Sequence, residues 1–254
     1  MFLSVAGGSA AQDLLSNWQL LDQLRYNEAH DAFEAVFEEQ PQNAESALGL
    51  AVALMSLEDR KPTHFTKAGE LIDWVAETSE EQDIQQFAKY LKVRLETLHE
   101  VEADPSIRRD AYFDLWKRYP GSEVGELAFL KFSLTRMYEP EPAAEKRATM
   151  RELAELAESM QIPRLKRNFH RAIAEAYARQ FSDHEQALLH SEKALALDIE
   201  KWNARGRTMV RAGKHAMELG KTEVALRYFR EFEADSPRDA RIHKVPQYIE
   251  KLEQ

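Results

Sequence analysis

The sequence predicts an all-α protein of about six antiparallel helix pairs, stacked one on the next and closed by a C-terminal capping helix. Three observations predict it. Apolar residues recur at i, i+3, i+4 and i+7 along most of the 254 residues. This is the stripe of an amphipathic helix, and no stretch alternates as a strand would. Turn signals recur at short intervals, with roughly one to two dozen residues between them, the rhythm of helix pairs. Only 9 Gly and 9 Pro are present while 31% of residues are charged, so breakers are scarce outside those turns.

Taken in order, the turns are Arg25-Tyr26-Asn27, Gln40-Pro41-Gln42-Asn43, Lys61-Pro62-Thr63, Asp104-Pro105-Ser106, Tyr119-Pro120-Gly121-Ser122, Pro140 to Pro142, Ile162-Pro163, Ser182-Asp183, Leu219-Gly220-Lys221 and Ser236-Pro237. Proline stops a helix because it lacks an N–H and pushes the preceding residue out of the α region. These turns bound helix pairs at 10–41, 44–79, 81–120, 122–161, 163–198 and 201–236. A last helix near 239–253 is the expected cap, because the final pair would otherwise expose an apolar face. Glu250, Lys251 and Glu253 give it a polar side. The expected organisation is a tail or signal-peptide remnant at 1–9 and one repeat domain at 10–254.

The clearest unit is Gly206 to Pro237. Gly213 allows close approach to a neighbouring helix, and Gly220 sits at the turn. Ala225, Phe229 and Phe232 follow at four- and three-residue steps, and Pro237 closes the unit. This resembles the tetratricopeptide repeat, a helix-turn-helix of about 34 residues. It departs from the family pattern at Phe232, where alanine is usual. Weaker copies run through the rest: Ala29, Phe33, Val36 and Pro41; Arg108, Tyr112, Leu115 and Pro120; Ala68, Ile72 and Val75. In a further copy, Ile173, Ala174, Ala176 and Tyr177 match a first helix, and Ala187 and Ala194 its partner. There Ser191 stands where the aromatic would, and Phe181 reads as a one-residue loop insertion. The resemblance implies a right-handed α-solenoid whose first helices line a concave face and whose second helices lie outside.

Composition narrows the function. With Cys 0, thiol nucleophiles, thiolate metal sites and disulfides are excluded. A net charge of −10 argues against a general nucleic-acid binder. No apolar run is long enough to span a membrane. No HExxH, phosphate loop or G-x-S-x-G is present. His184 and His190 lie six apart, which does not set two ligands on one helix face. The expectation is a non-catalytic protein with no metal and no cofactor. Trp18, Trp74, Trp116 and Trp202 read as inter-helix core.

The informative feature is charge segregation. Residues 163–180 carry Arg164, Lys166, Arg167, Arg171 and Arg179 against Glu175, a net +4. Residues 200–221 carry Lys201, Arg205, Arg207, Arg211, Lys214 and Lys221 against Glu200 and Glu218, again +4. Residues 122–137 balance to zero. Two readings stay open. In one, these are solvated faces that pair with acidic outer helices. In the other, they form a basic groove for an acidic or carboxylate-ended peptide, since the arginine fork can hold a carboxylate through two hydrogen bonds. Aligned to the family's groove-facing positions, the candidates are Arg171, Arg207 and Lys214, then Arg179 and Lys131. Trp18, on the first helix, is the aromatic candidate. Arg164 and Arg211 stand one register away, and one residue turns a helical side chain by about 100°.

The function expected is a protein-interaction scaffold. A structural subunit of a multi-protein assembly, held by its convex surface or its ends, is the alternative. Tyr119-Pro120-Gly121-Ser122 is similar to the Tyr-Pro-x-Ser junctions of bacterial envelope tetratricopeptide proteins. A monomer is the default expectation. Met1 to Gln12 is apolar, then small, then polar, with Ser9 and Ala11 spaced as for signal-peptidase cleavage, but without a basic leader. The chain as it stands reads as cytoplasmic. It reads as periplasmic or secreted if Met1–Ala11 ends a truncated signal peptide.

Overall fold

The computed structural model describes residues 9–59, 61–99, 105–197 and 205–254. The expected tail at 1–9, apart from Ser9, lies outside the described residues, as does Trp202. Among the described residues the chain is all-α and forms two compact units, Met1–Leu115 and Trp116–Gln254. The first holds α1 (Ser9–Asp22), α2 (Tyr26–Glu39), α3 (Ala44–Ser56), α4 (Pro62–Thr78), α5 (Gln82–His99) and most of α6 (Pro105–Arg118). The second holds α7 (Glu123–Tyr138), α8 (Ala143–Ala157), α9 (Pro163–Phe181), α10 (His184–Ala196), α11 (Arg205–Glu218), α12 (Thr222–Asp235) and α13 (Val245–Glu253). The predicted pairs are present, and the expected start of the sixth, at 201–204, lies outside the described residues.

Turn chemistry sets these boundaries. Asn43, Ser122 and Asp183 cap α3, α7 and α10, each side-chain oxygen accepting a backbone N–H at 2.9, 3.0 and 3.1 Å. Each satisfies a donor that the first turn leaves without a partner. Gly220 ends α11 with φ +68°, a left-handed backbone that suits glycine. Two local expectations are corrected. Phe181 is not a loop insertion: it is the last residue of α9, with the Arg147 guanidinium 4.3 Å over its ring. The C-terminal helix is not continuous from 239. A 3₁₀ turn at Ala240–His243 precedes α13, because Pro246 has no N–H to donate back to Ile242.

Packing follows the small-beside-large logic of the repeats. In the first unit Phe33 is fully buried against Gly49, where any Cβ would overlap its ring. In the second, a Cβ on Gly213 would lie 2.7 Å from Phe229. The unusual Phe232 is also fully buried, and Gly206 makes room for it: a Cβ there would come within 2.9 Å of its ring. Helices pack on their chain neighbours from α1 to α5 in the first unit and from α7 to α13 in the second. First helices also touch one another, α1 on α3 and α3 on α5 in one unit, α7 on α9 in the other. Val245, Tyr248, Ile249 and Leu252 of α13 cover the apolar end of α11 and α12, as a cap must.

Candidate functional site

The site is a cleft of about 260 Å³ in the second unit, between α9, α10 and α11. Helix α9 buries Leu165, Phe169, Ile173, Ala176 and Tyr177 at helical spacing. That stripe turns Arg171, Glu175, Ala178 and Arg179 to the cleft. Helix α11 buries Met209, Ala212, Gly213 and Ala216 and contributes Thr208, Arg211 and His215. The floor is small. Ala174, Ala178 and Ser191 line it, and Ser191 stands where other repeats carry a ring.

The electrostatics are one-sided. Arg171, Arg179 and Arg211 line the cleft, and Glu175 is the single carboxylate among its lining residues. Glu175 lies one turn after Arg171 and one turn before Arg179 on α9. Its Oε1 pairs with Arg179 and its Oε2 with Arg211 of the neighbouring first helix. Burial pushes the Arg171 guanidinium below its usual range, and the like charges of Arg167, Arg207 and Arg211 push the same way. Tyr138, at the end of α7, is 52% exposed. Its phenol is raised first by burial and then by the Glu175 charge.

Of the sequence candidates, Arg171 and Arg179 line the cleft. Arg207 is exposed beside Arg171 on α11 and has no ion pair among the described residues. Lys214 is turned to the cap, its ammonium 4.9 Å from the centre of the Tyr248 ring. Lys131 is exposed on α7 and does not line the cleft. Trp18 belongs to the first unit. Its ring packs edge-on to Phe33 at 5.2 Å and its Nε1 donates to Glu45 at 3.0 Å; it is half-buried between helices, as are Trp74 against Phe37 and Trp116 against Phe129. The remaining basic residues divide. Arg164 pairs with Glu123, Lys166 with Glu158 at 3.2 Å and Arg205 with Asp235 at 3.5 Å. Pairing with neighbouring acids accounts for these three, and the cleft gathers another group. In the sequence Glu175 registers only as a charge and Ser191 only as a missing ring, Tyr138 carries no signal, and Arg211 stands one register away. The lone acid set four residues from two arginines was the available signal.

Beside the cleft are two histidine pairs that spacing along one helix did not show. His170 and His190 join α9 to α10, Nδ1 to Nδ1 at 3.1 Å, and both are buried. His184 and His215 join α10 to α11 at the same distance. Burial pushes His170 down to about 4, His190 to about 3 and His215 to about 4. They are therefore neutral at pH 7, where one ring donates to the other. Among the described residues no group of three His, Asp or Glu is placed to hold a metal ion, and no helix is long and apolar enough to cross a membrane.

No family model matches the sequence, and no curated protein does. Solved structures do match. PilW, described as a widely conserved type IV pilus biogenesis factor, is 15% identical, with a TM-score of 0.54 over 94% of this chain and 99% of that one. The Cut9–Hcn1 hetero-tetramer of the APC/C gives 10% identity and a TM-score of 0.55 over 96% of this chain and 43% of that one. A human IFIT1 dimer with PPP-AAAA gives 16% and 0.51, over 96% and 64%. This chain thus spans less than two thirds of the length of the last two. At such identities the likeness speaks for the fold: an all-α, tetratricopeptide-like helical repeat.

Proposed function

We propose that this protein is a non-catalytic interaction module whose α9–α11 cleft captures an acidic or carboxylate-ended peptide segment. The observation that carries the reading is the cleft itself. The arginines of two first helices converge on a space lined by Ser191, and one internal carboxylate opposes them. Its volume of 260 Å³ is below the roughly 300–1,000 Å³ of small-molecule pockets and suits one or two side chains of a longer chain. Arginine is also among the residues that concentrate binding energy at interfaces.

Affinity capture from lysate at low and high salt tests this, comparing wild type with Arg171→Glu/Arg211→Glu and with Arg207→Glu/Lys214→Glu, helicity being checked for each. Capture lost in the first variant and in salt supports the cleft. The second variant should lose less, because Lys214 faces Tyr248. A second reading is a structural subunit of a larger assembly held by its convex surface or its ends. The match to a pilus biogenesis factor over 99% of that chain favours it. It predicts stoichiometric co-purification that survives high salt and both variants. The RNA-like ligand named for the IFIT1 structure fits this chain less well, given its net charge of −10.

A further inference from the structure

The cleft already holds a carboxylate. Glu175 is anchored on α9 and reaches two guanidiniums at once, one oxygen on Arg179 and the other on Arg211. Its side chain is 21% exposed, and those of Arg179 and Arg211 are 69% and 39% exposed. The pair arrangement is therefore open to solvent on the cation side, where an incoming ligand would approach. We propose that Glu175 is an internal competitor for the carboxylate seat, so that the cleft selects segments with clustered acidic residues over segments with one. This rests on the reading of the cleft as an acidic-peptide site.

Binding at this seat is an exchange of ion pairs. A single carboxylate that seats on Arg211 must turn Glu175 off it and then replaces one ion pair by another, with no net gain of contacts. While Glu175 stays, its like charge repels the ligand. A ligand with a run of carboxylates recovers the exchange and adds contacts to Arg171 and Arg207. Arg171 lines the cleft, Arg207 stands beside it on α11, and Arg167, Arg207 and Arg211 are positive neighbours of Arg171. Release is not prohibitive, since both guanidiniums are open to solvent, which weakens the pairs. The carboxylate thus sets a threshold on charge density and does not close the site.

Fluorescence anisotropy with two labelled peptides tests this on the full chain at low salt, one peptide holding a single glutamate and the other a run of glutamates in the same Gly/Ser frame. Wild type should prefer the run. Glu175→Gln should tighten the single-glutamate peptide about fivefold and narrow the preference. Glu218→Gln removes an equal charge from the exposed end of α11, outside the cleft, and should do neither. Glu175→Asp keeps the charge but is too short to span both guanidiniums, and should fall between; it serves if Glu175→Gln loses helicity. Glu175→Gln binding no more tightly than Glu218→Gln would overturn the competitor role while leaving the cleft reading intact. Binding of the run that persists in Arg171→Glu/Arg211→Glu, or is absent in wild type, would overturn the cleft reading and this inference with it.

Discussion

The two units use the same packing device and decorate it differently. In the first, α3 (AESALGLAVALMS) is apolar almost all round. Nine of its residues are buried, and Gly49 takes the Phe33 ring. In the second, α11 (RGRTMVRAGKHAME) keeps the glycine-under-aromatic contact at Gly213 and Phe229 but carries a cationic second face. The shared contact is what stacking needs, because a pair cannot bury its apolar face alone. The cationic face is surplus to stacking. Function is therefore sought where the repeats differ, in α9 and α11, and stability where they agree.

The largest expected effect falls on binding. Arg171→Glu/Arg211→Glu should weaken capture of an acidic peptide by a hundredfold or so, about 2–3 kcal/mol. Lys67→Glu/Lys92→Glu reverses as many charges in the first unit, where the lysines pair with Glu34 and Asp73, and should leave capture unchanged by anisotropy. Next, Gly49→Val and Gly213→Val should each lower stability by about 1–3 kcal/mol, seen as a lower urea midpoint. Similar losses would confirm one packing device in both units; a neutral Gly213→Val would break the parallel.

The pH dependence of stability should also separate the units. His170, His190 and His215 take up protons in the unfolded chain near pH 6.5 but are held neutral when folded. The unfolded state thus binds more protons below that pH. The stability these groups contribute is fully present above 6.5 and is lost as pH falls toward about 4 and 3. All three belong to the second unit. His190→Phe keeps a ring against Tyr177 and should flatten the fall in Tm between pH 7 and 5. A slope unchanged by it would place the titration elsewhere. The smallest effects are local: Asn43→Ala and Ser122→Ala should each cost about 1 kcal/mol through a lost cap.

Much of the fold was legible in the sequence because its signals are local. Proline at Pro62, Pro105 and Pro163 starts helices, Gly220 ends one, and apolar spacing marks the buried faces. Pro246 was passed over, so the break before α13 was missed. The site was legible as charge but not as geometry. The excess of arginine on two first helices pointed to the unit that holds the cleft. Which arginines converge depends on the rotation of α11 against α9, and a small error there exchanges Arg211 for Lys214. The histidine pairs join different helices and leave no trace in spacing along one. Glu175 was counted as a charge to subtract, although its place between Arg171 and Arg179 marks it as the carboxylate the cleft is built around.

The central claim is that the second unit's cleft, not the corresponding face of the first, holds the partner. Site-specific photo-crosslinking tests it most directly. A photoreactive phenylalanine replaces Ala178 on the cleft floor in one protein and Val52 on α3 in another. The account predicts a crosslink from position 178 to an acid-rich segment, suppressed by high salt, and none from position 52. A crosslink from position 52 alone, or one from 178 that ignores salt, would contradict it.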